Sequence, residues 1–576
     1  MGYADGATFG SCAAALWHGL RLDSVTDCYI LVLPFFVAVI GTFFSGFPLR
    51  KVLKPYYWIV AVLMALLFIA DIVLYHFWGA KLDAADLIYA QSPKDMLASV
   101  SWLSIVAGVV VIALFIWHYY RRLCHATIQV CDKWKNWRWP LFTIPLAGLL
   151  FLGMRGGVSE STANPSYAYF SKYQFCNHSA LNPLFNMLHS LTKTEDLANQ
   201  FVFMPEEEVS AMLEPCFETD EEVSLQLLNT GRPDILLIVW EGGGWDMVMN
   251  DSVGPNITRF SREGVLFTNC YANNFRTDRG LVSLLNGWMG LPTTSLMKMN
   301  DKCRALPSLA RQLRQGGYDT RFVYGGDIDF TNMRGYLHET GFLTALGSEH
   351  FADAKHLSNW GAPDAYTLLP EVVTVGNTPW FSVVLTLSSH EPWEVPMRRL
   401  ADNRKNSFVY ADSCIGVLVD ALRVLPIWNN LLVIIVPDHG VSLSSSQSTS
   451  DPRVSHIPMV WLGGAVKEPC VVDAMMNQSD LAMTLLSQLA AADSSFRFES
   501  RFPFSRNVLS PSYKGNYHFV MHSFKNGCNL IDSTGITRID CLDNSSVSNS
   551  GEESVSRERF ARALLQYIYK KTSELK

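Results

Sequence analysis

Three things are missing from this chain, and each absence closes a class of function. Basic residues are not in surplus: 46 Lys and Arg face 53 Asp and Glu, for a net charge of −7. A nucleic-acid partner is therefore not expected, because the basic footprint it requires is absent. The twelve cysteines nowhere form Cys-x-x-Cys, which argues against a thiolate zinc site. Internal repeats and low-complexity tracts are lacking too, apart from the Ser-rich loop Ser442–Ser450. No separate cleavable signal segment stands at the start, so the first apolar runs are expected to do the targeting.

What the chain has in excess is apolar residues, at 49% with a mean hydropathy of +0.12, and the excess is concentrated in the first 157 residues. Tyr29–Phe47, Tyr57–Trp78, Ser101–Tyr120 and Trp139–Met154 are near-continuous apolar runs. A membrane span needs about 20 such residues, and four runs in succession with aromatic ends predict a multi-span helical anchor. Arg50, Lys51 and Lys54 lie in the first connection, and Arg121, Arg122, Lys133, Lys135 and Arg138 in the third. The middle connection, Gly79–Val100, sets Lys81 and Lys94 against Asp83, Asp86 and Asp95. The positive-inside rule then puts the first and third connections in the cytoplasm and everything after Met154 outside. Thr8–Leu20 reads as a truncated or interfacial fifth segment. Asp71, inside the second run, reads either as a functional intramembrane acid or as a bundle-facing or headgroup-level residue.

The anchor is expected over 1–157, a connector over 158–231, a catalytic domain over 232–510 and a C-terminal completion over 511–576. Glu206–Glu208 and Asp220–Glu222 make the connector acidic, as a solvated helix face is. From Pro233 strands alternate with helices. The predicted strands are Asp234–Trp240, Val265–Tyr271, Thr320–Tyr324, Trp380–Leu387 and Leu431–Val436. The predicted helices are Leu281–Gly290, Leu306–Gln315, Phe408–Leu425 and Asp480–Leu489. That alternation implies an α/β domain with a mostly parallel sheet covered by helices on both faces. Strand-like pieces Tyr517–Phe524 and Cys528–Ile531 and a helix Ser554–Tyr569 follow. Eight of the cysteines lie beyond the last run, in a compartment that permits disulfides, and Cys528 with Cys541 is the best candidate pair.

The chemistry gathers at strand ends. Ile235–Trp240 runs into Glu241 and three glycines; Leu431–Val436 runs into Pro437, Asp438 and His439. In an open α/β sheet, ligands collect at the carboxyl ends of such strands. Two carboxylates, an imidazole and the hydroxyl of Thr277 form a plausible set for one divalent metal, and a metal beside a hydroxyl activates a weak nucleophile. Thr277, in Asn-Asn-Phe-Arg-Thr-Asp-Arg-Gly, is expected to precede its helix by several residues, which argues against a simple N-cap. Arg276 and Arg279 flank it, as a bidentate clamp for an anion would. His390, after another strand, is positioned to bond a phosphoryl oxygen or protonate a leaving group. His456 reads as a supporting group or the start of a strand. Asp327, Asn332 and Arg334 are candidate substrate contacts.

Leu-Ile-Val-Trp-Glu, Asn-Asn-Phe-Arg-Thr-Asp-Arg-Gly, Phe-Val-Tyr-Gly-Gly-Asp with Phe330-Thr331-Asn332, Leu-Ser-Ser-His-Glu-Pro and Pro-Asp-His-Gly occur in this order behind the apolar runs. In that arrangement the chain resembles the lipoteichoic-acid synthase family of the alkaline phosphatase and sulfatase superfamily. The resemblance implies a membrane phosphoglycerol transferase on the outer, periplasmic side of a bacterial inner membrane. Thr277 would be the nucleophile, Glu241, Thr277, Asp438 and His439 the metal ligands, and His390 a pocket residue for the phosphoglycerol group. It implies two steps: Thr277 takes the head group of a phospholipid such as phosphatidylglycerol, then passes it to a hydroxyl of a polymer, glycan or lipid acceptor. Manganese is the expected ion, with magnesium and zinc compatible. Where characterised Gram-positive members carry a Trp and an Arg at the head group, this chain has Thr331 and Met333, with Arg334 displaced by one position.

A sulfatase is disfavoured, since that chemistry wants a Cys or Ser in a Cys/Ser-x-Pro-x-Arg setting and the chain has Thr277-Asp278-Arg279. A phosphoethanolamine transferase, drawing on phosphatidylethanolamine and modifying lipid A or a surface glycan, uses the same ligand logic and competes directly; a phosphatase-type hydrolase ranks below it. A binding protein on an inactive hydrolase fold would require a broken metal set, and all four ligand types are retained.

Overall fold

The computed structural model describes residues 8–44, 46–78, 81–82, 102–133, 140–192, 196–218, 222–376, 379–441, 448–498, 502–515, 518–541 and 546–575. Asp83, Asp86, Lys94, Asp95, Lys135, Arg138 and most of the Ser442–Ser450 loop lie outside them. The chain divides into two units, Met1–Glu195 and Asp196–Lys576, so the break falls inside the expected connector.

In the first unit Thr8–Leu20 is not a separate segment. It is the start of one 35-residue helix, Phe9–Phe43. Its N-terminal half is held by polar and aromatic contacts. The Arg21 guanidinium lies 3.3 Å from the Tyr167 ring centroid, His18 stacks on Phe170 at 4.2 Å, and Asn182 donates to Asp23 at 2.6 Å. At a rise of about 1.5 Å per residue the helix exceeds the hydrocarbon thickness, which explains why only its second half reads as a span. Two stretches, Phe9–Phe43 and Leu49–Val73, are long and apolar enough to cross a membrane. Trp102–Tyr119 and Pro140–Arg155 are also helical. Asp71 is buried and ion-paired with Lys81, and it accepts the Leu82 N–H at 3.0 Å.

The second unit is built on nine strands: β1 Asp234–Trp240, β2 Val265–Tyr271, β3 Asp319–Tyr324, β4 Thr344–Leu346, β5 Trp380–Leu385, β6 Leu431–Pro437, β7 His456–Leu462, β8 Cys470–Val472 and β9 Met476–Asn477. Their order is β4-β3-β5-β1-β6-β7-β2-β8, with β9 beside β2. The block from β4 to β6 is parallel, and β7 runs antiparallel to both β6 and β2. The continuous apolar runs are explained by burial on both faces. Ile235, Leu237 and Val239 of β1 enter one core, whereas Leu236, Ile238 and Trp240 enter the other. Leu432, Ile434 and Val436 of β6 likewise oppose Leu431, Val433 and Ile435.

A second, antiparallel sheet follows in the order β10 Phe519–Phe524, β11 Gly527–Asp532, β12 Gly535–Asp540 and β13 Ser546–Gly551, with the helix Ser554–Glu574 after it. It is tied to the loop that leads into Thr277, because Asn273 donates to the Met521 carbonyl at 2.8 Å and accepts the Ser523 N–H on its own carbonyl at 3.0 Å. Cys528 and Cys541 are both buried and both free, so the pair expected as a disulfide is not bonded.

Candidate metal and phosphoryl-transfer site

The helix carrying Thr277 begins at that residue, four residues before the predicted Leu281, and ends at Asn286 with Gly287 in the left-handed conformation. Thr277 is thus the first helical residue, with Arg276 at the cap position and no side-chain capping bond. The expected gap before the helix does not exist. The hydroxyl is nonetheless free of capping duty: Thr277 Oγ1 donates to Glu241 Oε2 at 3.0 Å. Thr277 thus stands in the first turn, where the positive end of the helix dipole suits a phosphoryl oxygen.

Glu241 follows β1, and Asp438 and His439 follow β6, its parallel neighbour in register Trp240 opposite Pro437. One ligand atom from each of Glu241, Asp438 and His439 lies within 4.8 Å of the others, and all three residues are buried. His439 Nδ1 donates to the Gly440 carbonyl at 2.9 Å, which leaves Nε2 turned toward the carboxylates, 3.4 Å from Glu241 Oε1 and 3.5 Å from Asp438 Oδ2. Fixing one ring nitrogen on a carbonyl sets the other as ligand. Asp438 Oδ1 accepts the N–H groups of Gly242 and His439 at 2.9 Å each. Its Oδ2 is buried with no hydrogen-bond partner. A bare buried carboxylate oxygen beside a second carboxylate is costly unless a cation meets it, so the donor set fits a divalent metal.

The electrostatics say the same. Burial and then the charge of Glu241 push the Asp438 carboxyl up to about 7. Burial opposes ionisation of Glu241, but the hydrogen bond and charge of His439 outweigh it and hold that carboxyl low. Burial likewise opposes charging of His439, and Asp438 and Glu241 overcome it, raising the imidazole to about 10. Positive charge is wanted between the two acids.

Residues not singled out in the sequence hold this set in place. Thr386 Oγ1 accepts the Glu241 N–H at 2.9 Å, and Ser389 Oγ donates to the Glu241 carbonyl at 2.6 Å. Asp364, fully buried, accepts the Leu387 N–H at 2.7 Å and the Ser388 N–H at 3.2 Å. Gln478 donates to the carbonyls of Pro437 and Asp438 at 2.7 and 2.8 Å. Lys298 lies 3.6 Å from Asp278, beside the nucleophile.

Of the other predicted contacts, several are engaged elsewhere. Arg279 donates through Nε to the Thr294 carbonyl at 2.8 Å and lies over Phe275, whereas Arg276 is exposed. Asn332 is buried, spends its amide on the Met297 carbonyl at 2.8 Å and on Asn300 at 2.6 Å, and has a left-handed backbone. Asp327 accepts the Asp329 N–H at 3.0 Å. His456 opens β7, donates through Nε2 to the Thr268 carbonyl at 2.7 Å, and is stacked between Trp245 and Tyr271. Arg334 is ion-paired with Asp329 and Glu349. His390 adjoins Ser389, and its Nδ1 donates to the Glu391 carbonyl at 2.7 Å.

Gly280 explains the end of the nucleophile motif. A Cβ there would lie 2.4 Å from the Asp438 carbonyl oxygen and 3.0 Å from its carbonyl carbon, both backbone atoms. Gly280→Ala is expected to drive the start of the helix off Asp438 and lower the rate of transfer about 100-fold, since a displacement of about 1 Å suffices for that. Rates measured beside a thermal melt test it; a folded variant of near-native rate would show that the close approach does not position Thr277.

Known proteins agree with this architecture. Residues 233–491 match the sulfatase family model. A protein in the alkaline phosphatase superfamily from Vibrio parahaemolyticus aligns over 66% of this chain and 99% of its own, at 20% identity and a TM-score of 0.56. The lipoteichoic acid synthase LtaP from Listeria monocytogenes aligns over 65% of this chain and 99% of its own, at 15% identity and a TM-score of 0.51. At those identities the likeness is one of fold. The unit from Asp196 onward therefore has the α/β fold of the alkaline phosphatase and sulfatase type, with a sulfatase-family match over residues 233–491.

Proposed function

We propose that the protein is a metal-dependent phosphotransferase that moves a phospho-alcohol head group, phosphoglycerol or phosphoethanolamine, from a membrane glycerophospholipid to an acceptor hydroxyl through phospho-Thr277. The observation that carries this reading is the bond from Thr277 Oγ1 to Glu241 Oε2 at 3.0 Å, beside the unpartnered Asp438 Oδ2. A hydroxyl held by a ligand carboxylate at a helix N-terminus is oriented for attack on phosphorus.

In the first step Thr277 Oγ1 gives its proton to Glu241 and forms the new O–P bond as the bond from phosphorus to the diacylglycerol oxygen breaks, and His390 gives that oxygen a proton; Glu241 returns the proton when Thr277 leaves. In the second step the acceptor oxygen forms its bond to phosphorus, Thr277 leaves, and His390 takes up the acceptor's proton. Glu241 aims the Thr277 oxygen throughout, and exposed Arg276 meets the anionic phosphodiester. A divalent ion held by Glu241, Thr277, Asp438 and His439 would supply charge neutralisation on the phosphoryl group and a lower pKa for the hydroxyl. Manganese suits this set, with magnesium and zinc as compatible ions.

The two membrane-length helices, with the basic Arg50, Lys51 and Lys54 at the start of the second, support a multi-pass anchor with the second unit outside the membrane, where head groups are at hand. Polymer, glycan and lipid hydroxyls are all chemically competent acceptors. The test is the mass of the Thr277 peptide after incubation of the manganese-loaded protein with glycerophospholipid vesicles. A phospho-alcohol adduct on Thr277 is expected; its absence at every time point, with product still forming, would remove the covalent mechanism.

A further inference from the structure

The cation that sequence places nearest the head-group position is not free to bind one. Arg334 donates through Nε to Asp329 at 2.7 Å and through Nη2 to Glu349 at 2.6 Å. Two carboxylates thus hold one guanidinium, and the group is left net acidic. An arginine fork serves an anion by presenting its N–H donors; this one turns Nε and Nη2 to carboxylates of its own chain.

An aromatic ring, by contrast, does arrive beside His390, and from an unexpected loop. The Trp360 ring lies 4.5 Å from that of His390 and 5.8 Å from that of Phe330, which is 36% exposed. The row starts one residue from Ser389, whose hydroxyl bonds the main chain of the metal ligand Glu241 at 2.6 Å. It therefore flanks the point where Thr277 would carry its cargo. Glu394 pins the row, accepting both the N–H and the side-chain amide of Asn359 at 3.1 Å and so fastening the loop of Trp360 to that of His390. Glu391, next to His390, is exposed.

Aromatic faces rimmed by carboxylates are the recognition chemistry of an ammonium group, as π-systems attract cations and are indifferent to neutral diols. We propose that the Phe330–Trp360 pair, packed beside His390, is the head-group subsite and selects an amine-bearing alcohol, so that the cargo passed to Thr277 is phosphoethanolamine-like rather than phosphoglycerol. This rests on the reading of Thr277 as the nucleophile.

The experiment uses the full chain, manganese-loaded, with vesicles containing equal amounts of phosphatidylethanolamine, phosphatidylglycerol and phosphatidylcholine, and reads the mass and yield of the Thr277 peptide. The phosphoethanolamine adduct is expected to exceed the phosphoglycerol adduct about tenfold, the range open to a desolvated cation–π contact. Trp360→Ala should lower the ethanolamine adduct about tenfold and the glycerol adduct by much less, so that the preference between them collapses, and Trp360→Phe should restore most of the difference. A dominant choline adduct would narrow the ammonium class to quaternary amines and overturn the ethanolamine assignment. A dominant glycerol adduct, or an equal fall in both adducts in Trp360→Ala, would overturn the subsite altogether. Product formed without any adduct would instead sink the Thr277 mechanism, and the proposal with it.

Discussion

Thr277→Ala is expected to lower head-group transfer by at least about 10⁴-fold, because a covalent route cannot be bypassed once its nucleophile is gone. The substitution removes one methyl and one hydroxyl from a half-buried position at the first turn of a helix, and alanine is the best helix former. The lost Oγ1–Glu241 bond is worth about 1–2 kcal/mol, so the variant should remain folded. Three readouts separate the outcomes. The phospho-adduct disappears, the thermal midpoint shifts by only a few degrees, and metal is still taken up through Glu241, Asp438 and His439, which remain in place. Thr277→Ser keeps the hydroxyl on the same helix turn and should retain substantial transfer. Activity of Thr277→Ala within about tenfold of native would mean that water or the acceptor attacks the lipid directly, and the chemistry would be that of a hydrolase.

The sheet was legible because β1 and β6 are apolar without interruption, a pattern produced by burial on both faces. What escaped detection lacked that signature. The strand His456–Leu462 is legible only as one alternative for His456, because Pro458 stands in its run and a proline in a strand-like stretch argues against a strand. Here the residue sits between two register pairs that β7 shares with β2, Ile457 with Cys270 and Met459 with Phe267, at the point where that register shifts. β13, Ser546–Gly551, is Ser- and Asn-rich and carries no alternation to read. The nucleophile helix was placed four residues late because Thr-Asp-Arg-Gly has a glycine at its fourth position and no capping side chain before it. Gly280 looked like loop and is in fact the close-approach residue.

The ligands showed for a different reason. Glu241 and Asp438-His439 are polar residues ending buried strands, and register puts strand ends side by side. The pocket beyond them did not show, since its identity depends on loop pairings. Glu349 takes Arg334 from fifteen residues away, and Trp360 reaches His390 from thirty. Asn273 and Asn274, the first letters of the nucleophile motif, turn out to be fully buried and bonded to Asn477, Met521 and Gln478. A motif thus mixes residues that react with residues that build, and only the contacts separate them.

Metal affinity should rise with pH across the neutral range and collapse in Asp438→Asn. In the metal-free site the His439 imidazole is raised to about 10 and the Asp438 carboxyl to about 7, so near neutrality protons occupy the positions a cation would take. Ligation needs Nε2 bare and both carboxylates ionised, so binding a divalent ion must expel protons. The sign follows from the raised values. Below about 10 each pH unit of acidification costs about tenfold in apparent affinity for the His439 proton, and below about 7 the Asp438 proton steepens the fall. Equilibrium dialysis at several pH values, with calorimetry in buffers of different protonation enthalpy, measures both the slope and the protons released. In Asp438→Asn one charge is lost while Oδ1 can still accept the Gly242 and His439 N–H groups, so the metal-free fold should survive. Repulsion with Glu241 is relieved, and the thermal midpoint of the metal-free variant should match or exceed the native one. The rise in midpoint that metal gives the native protein should vanish, since stabilisation by a ligand follows its affinity. A pH-independent affinity, or an undiminished metal-induced shift in Asp438→Asn, would place the ion elsewhere and leave the bare Asp438 Oδ2 unexplained.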